Sequence, residues 1–259
     1  MDKINRIGEE NYNNFGSKMV IKEYKDCHNS YIYFPEYEWI SGNIDYRNFK
    51  NGNVKCPYEK RIFGIGYIGE GKYKVMNNNK YSKEYITWKE MLRRCYDKNY
   101  KEKHPTYRKS ECHKKWHNFQ NFGEWFKENY YTVNNETMCL DKDILIKKNK
   151  IYNSNTCIFV PERINMLFIK RDNDRGNYPI GVNKDKRHNR FQARCSIYDF
   201  DKRKIVRVYL GYYKTPEEAF EVYKQFKESH IKKVANYYKD KIPQKLYNAM
   251  YQYEVEITD

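Results

Sequence analysis

Several groups of residues in this sequence have side chains and spacings that could do chemistry. The run Leu140-Asp141-Lys142-Asp143 puts two carboxylates on either side of a lysine. Successive side chains of an extended strand point to opposite faces. An extended LDKDILI segment would therefore place Asp141 and Asp143 on one face, where they could together hold Mg²⁺. Such an ion can polarise an oxygen that it binds or activate a bound water. Lys142 would accept a proton at neutral pH only if burial or neighbouring positive charge lowered its pKa substantially. The alternative for this triplet is a structural turn closed by salt bridges.

A second group is the set Cys95, Cys112, Cys139 and Cys157, with His113 or His117 as alternates, from which a structural Zn²⁺ site could be drawn. The CxxC spacing that marks most zinc sites is absent. Cysteine is also commonly buried as a small apolar residue, which is the expectation for Cys27, Cys56 and Cys195. A third group is Arg190, Gln192 and Arg194 at alternate positions, side chains suited to guanine edges, adenine edges and phosphates. Two glycine-rich matches carry no such chemistry. Gly64-Ile-Gly66-Tyr-Ile-Gly69 fits GxGxxG but is not followed by an amphipathic helix, and Gly66 to Tyr73 lacks both the length and the small hydroxyl of a phosphate loop.

The elements that must position these groups are legible in part. Residues 1–75 read as short strands and turns: Met19–Tyr24, Tyr31–Phe34 and the stretch ending in FKNGNVKCP. Residues 81–131 read as largely helical, with Trp88, Met91, Leu92 and Cys95, then Trp116, Phe119, Phe122, Trp125 and Phe126, as a core-facing stripe. LDKDILI is expected to be extended, KKNKIYNSN a polar loop, CIFV a short apolar run, and Pro161-Glu162 a helix start. Phe191, Ala193, Cys195 and Ile197 alternate with Arg190, Gln192, Arg194 and Ser196, which predicts a strand with one apolar and one basic face. A second strand, Lys204–Leu210, carries Arg207. Thr215-Pro216-Glu217-Glu218 is a capping box opening a helix whose stripe is Ala219, Phe220, Tyr223 and Phe226.

The 259 residues carry 50 Lys+Arg against 34 Asp+Glu, a net charge of +16, and the mean hydropathy is −1.09. No apolar run approaches the roughly 18 residues of a membrane span, and MDKINRIGEE predicts no secretory signal. With 28 tyrosines and 17% aromatic residues the chain is expected to fold. Seven irregularly spaced cysteines fit reduced thiols or metal ligands in a cell interior. The positive charge calls for an anionic partner, nucleic acid ahead of a membrane surface. Between Ile180 and Lys214, ten Lys or Arg stand against three Asp, an excess of seven.

The run YPIGVNKDKRHNRFQARCSI, then VYLGYYKTPEEAFEVYKQFK, resembles the DNA-binding domain of the plant APETALA/ethylene-response-factor type, which also occurs in phage and mobile-element nucleases. The matching pieces are Gly181-Val182, Phe191, Ala193, Leu210-Gly211, Thr215, Glu217, Glu218, Ala219 and Tyr223. The plant domains carry tryptophans on their reading strands where this chain has none, so their target sequence does not transfer. The resemblance implies a three-stranded sheet in the major groove, with Arg187, Arg190, Gln192, Arg194, Arg203, Lys204 and Arg207 as DNA contacts.

Residues 85–168 resemble a phage group of HNH-type nucleases, through Trp88, Met91, Arg94-Cys95-Tyr96, Cys112, Trp116, Phe119, Phe122, Trp125, Leu140-Asp141-Lys142-Asp143, Tyr152, Cys157 and Ile164-Asn165. That resemblance implies a ββα metal finger. Asp141 matches its metal-binding acid and Asn165 its helix ligand, with Asp143 as a further donor. Lys142 stands where the general-base histidine is expected. Asn155, or its neighbour Asn153, is nearest to the bracing asparagine, although Thr156 takes the usual place before Cys157. The expected architecture is α+β: a small β module over 1–75 of unassigned role, with DNA contact as an option, an HNH-like ββα-metal domain with aromatic-rich helices over 76–172, and a three-stranded sheet with a helical tail over 173–259. The expected function is sequence-directed, Mg²⁺- or Mn²⁺-dependent cleavage of double-stranded DNA, with structural Zn²⁺ as an option. The alternative is a non-catalytic DNA-binding regulator or architectural protein on a degenerate HNH scaffold. The expected setting is intracellular, the cytoplasm or nucleoid of a host, with no membrane partner and a homodimer as an option.

Overall fold

A computed structural model describes residues 5–169, 178–199 and 204–258. The strands are β1 (Glu10–Tyr12), β2 (Lys18–Asp26), β3 (Asn29–Phe34), β4 (Trp39–Ile44), β5 (Met76–Asn77), β6 (Lys80–Tyr81), β7 (Glu111–Cys112), β8 (Met138–Asp141), β9 (Ile151–Tyr152), β10 (Ile158–Pro161), β11 (Val182–Asp185), β12 (Arg190–Asp199) and β13 (Lys204–Tyr213). The helices are α1 (Tyr46–Lys50), α2 (Lys83–Tyr96), α3 (Lys98–Lys103), α4 (Phe119–Asn129), α5 (Glu162–Leu167), α6 (Pro216–Tyr238) and α7 (Gln244–Tyr251). The fold is mixed α+β with several small sheets. No described helix is long and apolar enough to cross a membrane.

The chain divides into two compact units, residues 1–128 with 150–153, and residues 129–149 with 154–259. This division does not follow the three-part segmentation at 75/76 and 172/173, because segments distant in sequence share cores. In the first unit, β1 to β4 form an antiparallel meander in sequence order. Alternate residues Met19, Ile21, Ile32 and Phe34 face one way and bury against Phe49, Val54 and Cys56. The stretch ending in FKNGNVKCP, read as strand and turn, contains a helix instead. Asp45 caps α1 by accepting from the Arg47 amide, and the i, i+3 step from Tyr46 to Phe49 turns both rings to one side. Cys27, expected in the core, is exposed in the turn between β2 and β3. Further along, Ser82 caps α2, which buries Tyr85, Trp88, Met91, Leu92 and Cys95, and α4 buries Phe119, Phe122, Trp125 and Phe126. The loop KKNKIYNSN contributes β9, which pairs in parallel with β7.

In the second unit, β8 pairs antiparallel with β10, and α5 follows β10 directly and packs on both strands. Ile158, Val160, Ile164 and Leu167 close a core with Ile231, Val234, Ala235 and Tyr238 of α6 and with Leu246 and Met250 of α7. Burying each such side chain contributes about 1.5–3 kcal/mol. The other half of α6 lays Ala219, Phe220 and Tyr223 on Val182, Ala193 and Cys195 of the antiparallel sheet β11-β12-β13. A 23-residue helix is about 34 Å long, long enough to serve both cores. The C-terminal helical segment therefore belongs to the β8–β10–α5 core as much as to the three-stranded sheet.

Candidate functional site

The three-stranded sheet has two unlike faces because β12 alternates. Ala193 and Cys195 are buried toward α6, while Arg190 and Ser196 are exposed and Gln192 and Arg194 half-buried on the other side. Across the sheet, Gln192 pairs with Asn183 and Tyr212, Arg194 with Tyr209, Ser196 with Arg207 and Arg190 with Asp185. Lys204 and Arg207 of β13 are exposed, as is Arg187 in the β11–β12 turn. Arg203 lies outside the described residues. The capping box that starts α6 is formed: the Glu218 amide donates to Thr215 Oγ1 at 3.2 Å, and Glu218 Oε2 accepts from the Thr215 amide at 3.3 Å. Gly181 sits at φ +78°, where a side chain would run into the Tyr223 ring. Its missing Cβ is what lets α6 lie this close to the sheet.

A bulge in this sheet places residues that sequence reasoning missed. Ala193 pairs with Gly211 but Arg194 pairs with Tyr209, so Leu210 is an extra residue on β13, and Gly211 takes up the strain at φ +121°. Unbroken alternation from Arg207 and Tyr209 would turn Tyr212 toward α6. The extra residue brings Tyr209 and Tyr212 to the same outward face, their rings 5.5 Å apart. Asp185 then gathers three donors: Tyr212 Oη at 2.8 Å, His188 Nδ1 at 3.0 Å and the Arg187 amide at 2.8 Å. These contacts, His188 first, hold the Asp185 carboxyl well below the usual range, and Asp185 in turn raises the Tyr212 hydroxyl. Gln192 Nε2 donates to Tyr212 Oη at 3.4 Å. The signal for the bulge in the sequence is Gly211 inside a strand pattern.

The other candidate centre lies at the end of β8. The chain leaves the strand at Asp141, so Asp143 does not occupy the next same-face strand position that an extended LDKDILI would give it. Asp141 Oδ1 accepts from the Asp143 amide at 2.8 Å and the Ile144 amide at 2.7 Å, closing the turn. Burial, and next the Asp143 charge, push the Asp141 carboxyl up to about 6, against the pull of those two amides and of Lys142. Lys142 is 6% exposed and its Nζ lies 3.0 Å from Asp143 Oδ2. Its own carbonyl accepts from Asn149 Nδ2 at 2.6 Å. Lys142 Nζ donates to Asp143 Oδ2 in this arrangement. Asn165 is half-buried on α5, the helix that packs against β8, and Asn155 is exposed, accepting from Ser154 Oγ at 3.4 Å.

The residues present fit a hard cation only modestly. Asp141 Oδ2, Asp143 and Asn165 are oxygen donors of the kind Mg²⁺ takes through one or two carboxylates while keeping most of its waters. The mutual crowding of Asp141 and Asp143 is what a divalent charge would relieve. Zinc does not fit. Cys95, Cys112, His113 and His117 belong to the first unit and Cys139 and Cys157 to the second. Among the described residues no group of three or more His, Cys, Asp or Glu gathers to hold a metal. Cys112 Sγ lies against Met91 Sδ at 4.0 Å and the His113 carbonyl at 3.6 Å, His113 Nδ1 accepts from the Lys115 amide, and His117 Nε2 meets Tyr96 Oη at 3.0 Å. Burial lowers the His117 pKa, in keeping with an imidazole used for packing. Comparison of the chain with protein-family models, with curated proteins and with solved structures finds no match.

Proposed function

We propose that this chain binds double-stranded DNA through the outward face of β11-β12-β13. The observation that carries the reading is the division of that sheet: Ala193 and Cys195 buried under α6, with Arg190, Gln192, Arg194, Ser196 and Arg207 on the opposite face. A twisted antiparallel sheet of this size can enter the major groove, where Arg reads guanine and Gln reads adenine, while lysines and remaining arginines neutralise phosphates. Tyr209 and Tyr212 add apolar surface against thymine methyl groups. Selection from a random duplex pool tests this. A consensus of several base pairs is expected from the wild type, and its loss from Gln192→Ala and Arg194→Ala; a pool that never converges would remove the sequence-reading part.

Metal-dependent phosphodiester cleavage is the second reading, supported by the order β8, β10, α5 and by the crowded Asp141 and Asp143 carboxylates. Asp141, Asp143 and Asn165 would hold Mg²⁺ or Mn²⁺, which would supply charge neutralisation at the scissile phosphate. Nicking of supercoiled plasmid with Mg²⁺ or Mn²⁺, wild type beside Asp141→Ala, decides between an endonuclease and a binding protein on a degenerate scaffold.

A further inference from the structure

Not all of the positive charge sits on the three-stranded sheet. Residues 1–60, which include the four-stranded meander, hold nine Lys or Arg and nine Asp or Glu, a net charge of zero. Residues 98–115 hold seven Lys or Arg against two Glu, a net charge of +5 on a segment half as long as the basic run of the sheet. Lys98, Lys103, Arg108, Lys109, Lys114 and Lys115 are all exposed.

The backbone under these charges is well anchored. Asp97 caps α3 by accepting from the Tyr100 amide at 3.0 Å. The Tyr100 ring lies 4.3 Å from His104 and 5.8 Å from Tyr107, with the Arg93 guanidinium 4.6 Å from the Tyr100 centroid and that of Arg94 5.6 Å from the Tyr107 centroid. Lys101 Nζ donates to the Ser110 carbonyl at 3.2 Å, and the Glu111 and His113 amides donate to the carbonyls of Lys150 and Tyr152. A solvated face normally interleaves acids with its lysines. Here anchored backbone, aromatic packing and unbalanced cations coincide, which reduces the ordering cost of holding a polyanion. Lysine is a flexible point charge, suited to phosphates and not to base edges.

We propose that the 98–115 segment of the first unit is a second duplex-DNA contact, sequence-independent and directed at phosphates. This rests on the duplex-binding reading of the sheet. The experiment uses the full chain with Lys103, Arg108, Lys109, Lys114 and Lys115 all replaced by Gln, titrated onto a random-sequence duplex over a range of salt. Removing one phosphate-neutralising cation should make the slope of log K against log salt shallower by about 0.9, so the five-fold variant should be shallower by as much as about 4.5. Sequence preference should be kept. A slope equal to the wild type's overturns the proposal. If the five-fold variant loses its melting transition, the pairs Arg108→Gln/Lys109→Gln and Lys114→Gln/Lys115→Gln carry the same test, each expected to change the slope by about 1.8. An Arg190→Gln/Arg194→Gln/Arg207→Gln variant runs alongside. Wild type that ignores duplex DNA, or prefers single-stranded RNA, overturns both this proposal and the sheet reading. Duplex binding that responds to the sheet variant alone overturns only this one.

Discussion

Replacing Asp141 by Asn should make the second unit more stable at neutral pH and leave it unchanged in acid. In the folded chain the Asp141 carboxyl is raised from its ordinary 3.8 to about 6, by burial first and the Asp143 charge second. A carboxyl whose folded pKa exceeds its unfolded one binds its proton more tightly when folded, so the cost appears as the proton is lost. Below about pH 4 the group is protonated in both states and costs nothing. Between pH 4 and 6 the folded state progressively loses this advantage, and above about pH 6 the whole penalty is present. At 1.36 kcal/mol per pH unit that penalty is at most about 3 kcal/mol, and partial access of the site to water reduces it to about 1–3 kcal/mol. The Asp141→Asn side chain keeps an Oδ1 acceptor for the Asp143 and Ile144 amides, so the turn itself is retained. Amide hydrogen exchange of β10, whose Ile158 pairs with Asp141, reads the difference locally. Protection should rise about 5- to 150-fold at pH 7.5 and not at pH 4. A variant with the wild-type pH dependence would refute the assignment of this half-buried charge to Asp141. Millimolar Mg²⁺ should raise wild-type protection at pH 7.5, and not that of the variant, if the second reading holds.

Gly181→Ala should destabilise the three-stranded sheet by about 2–4 kcal/mol, combining left-handed backbone strain with overpacking against Tyr223; unchanged exchange protection in β11 and β12 would contradict this. Chelation should leave the thermal transition of the first unit, followed by its tryptophans, within about 1 °C of the untreated protein, since thiols packed as Cys95 and Cys112 are lose nothing with a metal; a clear fall would show zinc ligation.

The sequence made the three-stranded sheet and the start of α6 legible because local rules agree there: strict alternation in β12, the Thr215–Glu218 capping box and the spacing of Ala219, Phe220 and Tyr223. Legibility failed where the deciding contact is distant or irregular. Strand β4 lacks apolar alternation, with Ile40 exposed and Asn43 at φ +56°, and β9 exists only through its pairing with β7. The outward placement of Tyr212 depends on one bulge residue, Leu210, which shifts the register of everything after it. At the other centre, Asp141 stands out as an unusual acid in sequence and structure alike. The strand end at that residue nonetheless redirects Asp143 toward Lys142, a consequence of loop closure that no residue pattern records. The joint core of α6, α7 and α5 is likewise a property of the folded chain.

The most direct test of the central claim is the affinity of the full chain for duplex DNA before and after the outward arginines of the sheet are removed together. Arg190→Ala/Arg194→Ala/Arg207→Ala changes only exposed or half-buried side chains, so the fold should be retained. At about 1–3 kcal/mol for each base-reading or phosphate contact, affinity at moderate salt should fall by at least about 100-fold. Equal binding by wild type and variant, with both folded, would contradict the account.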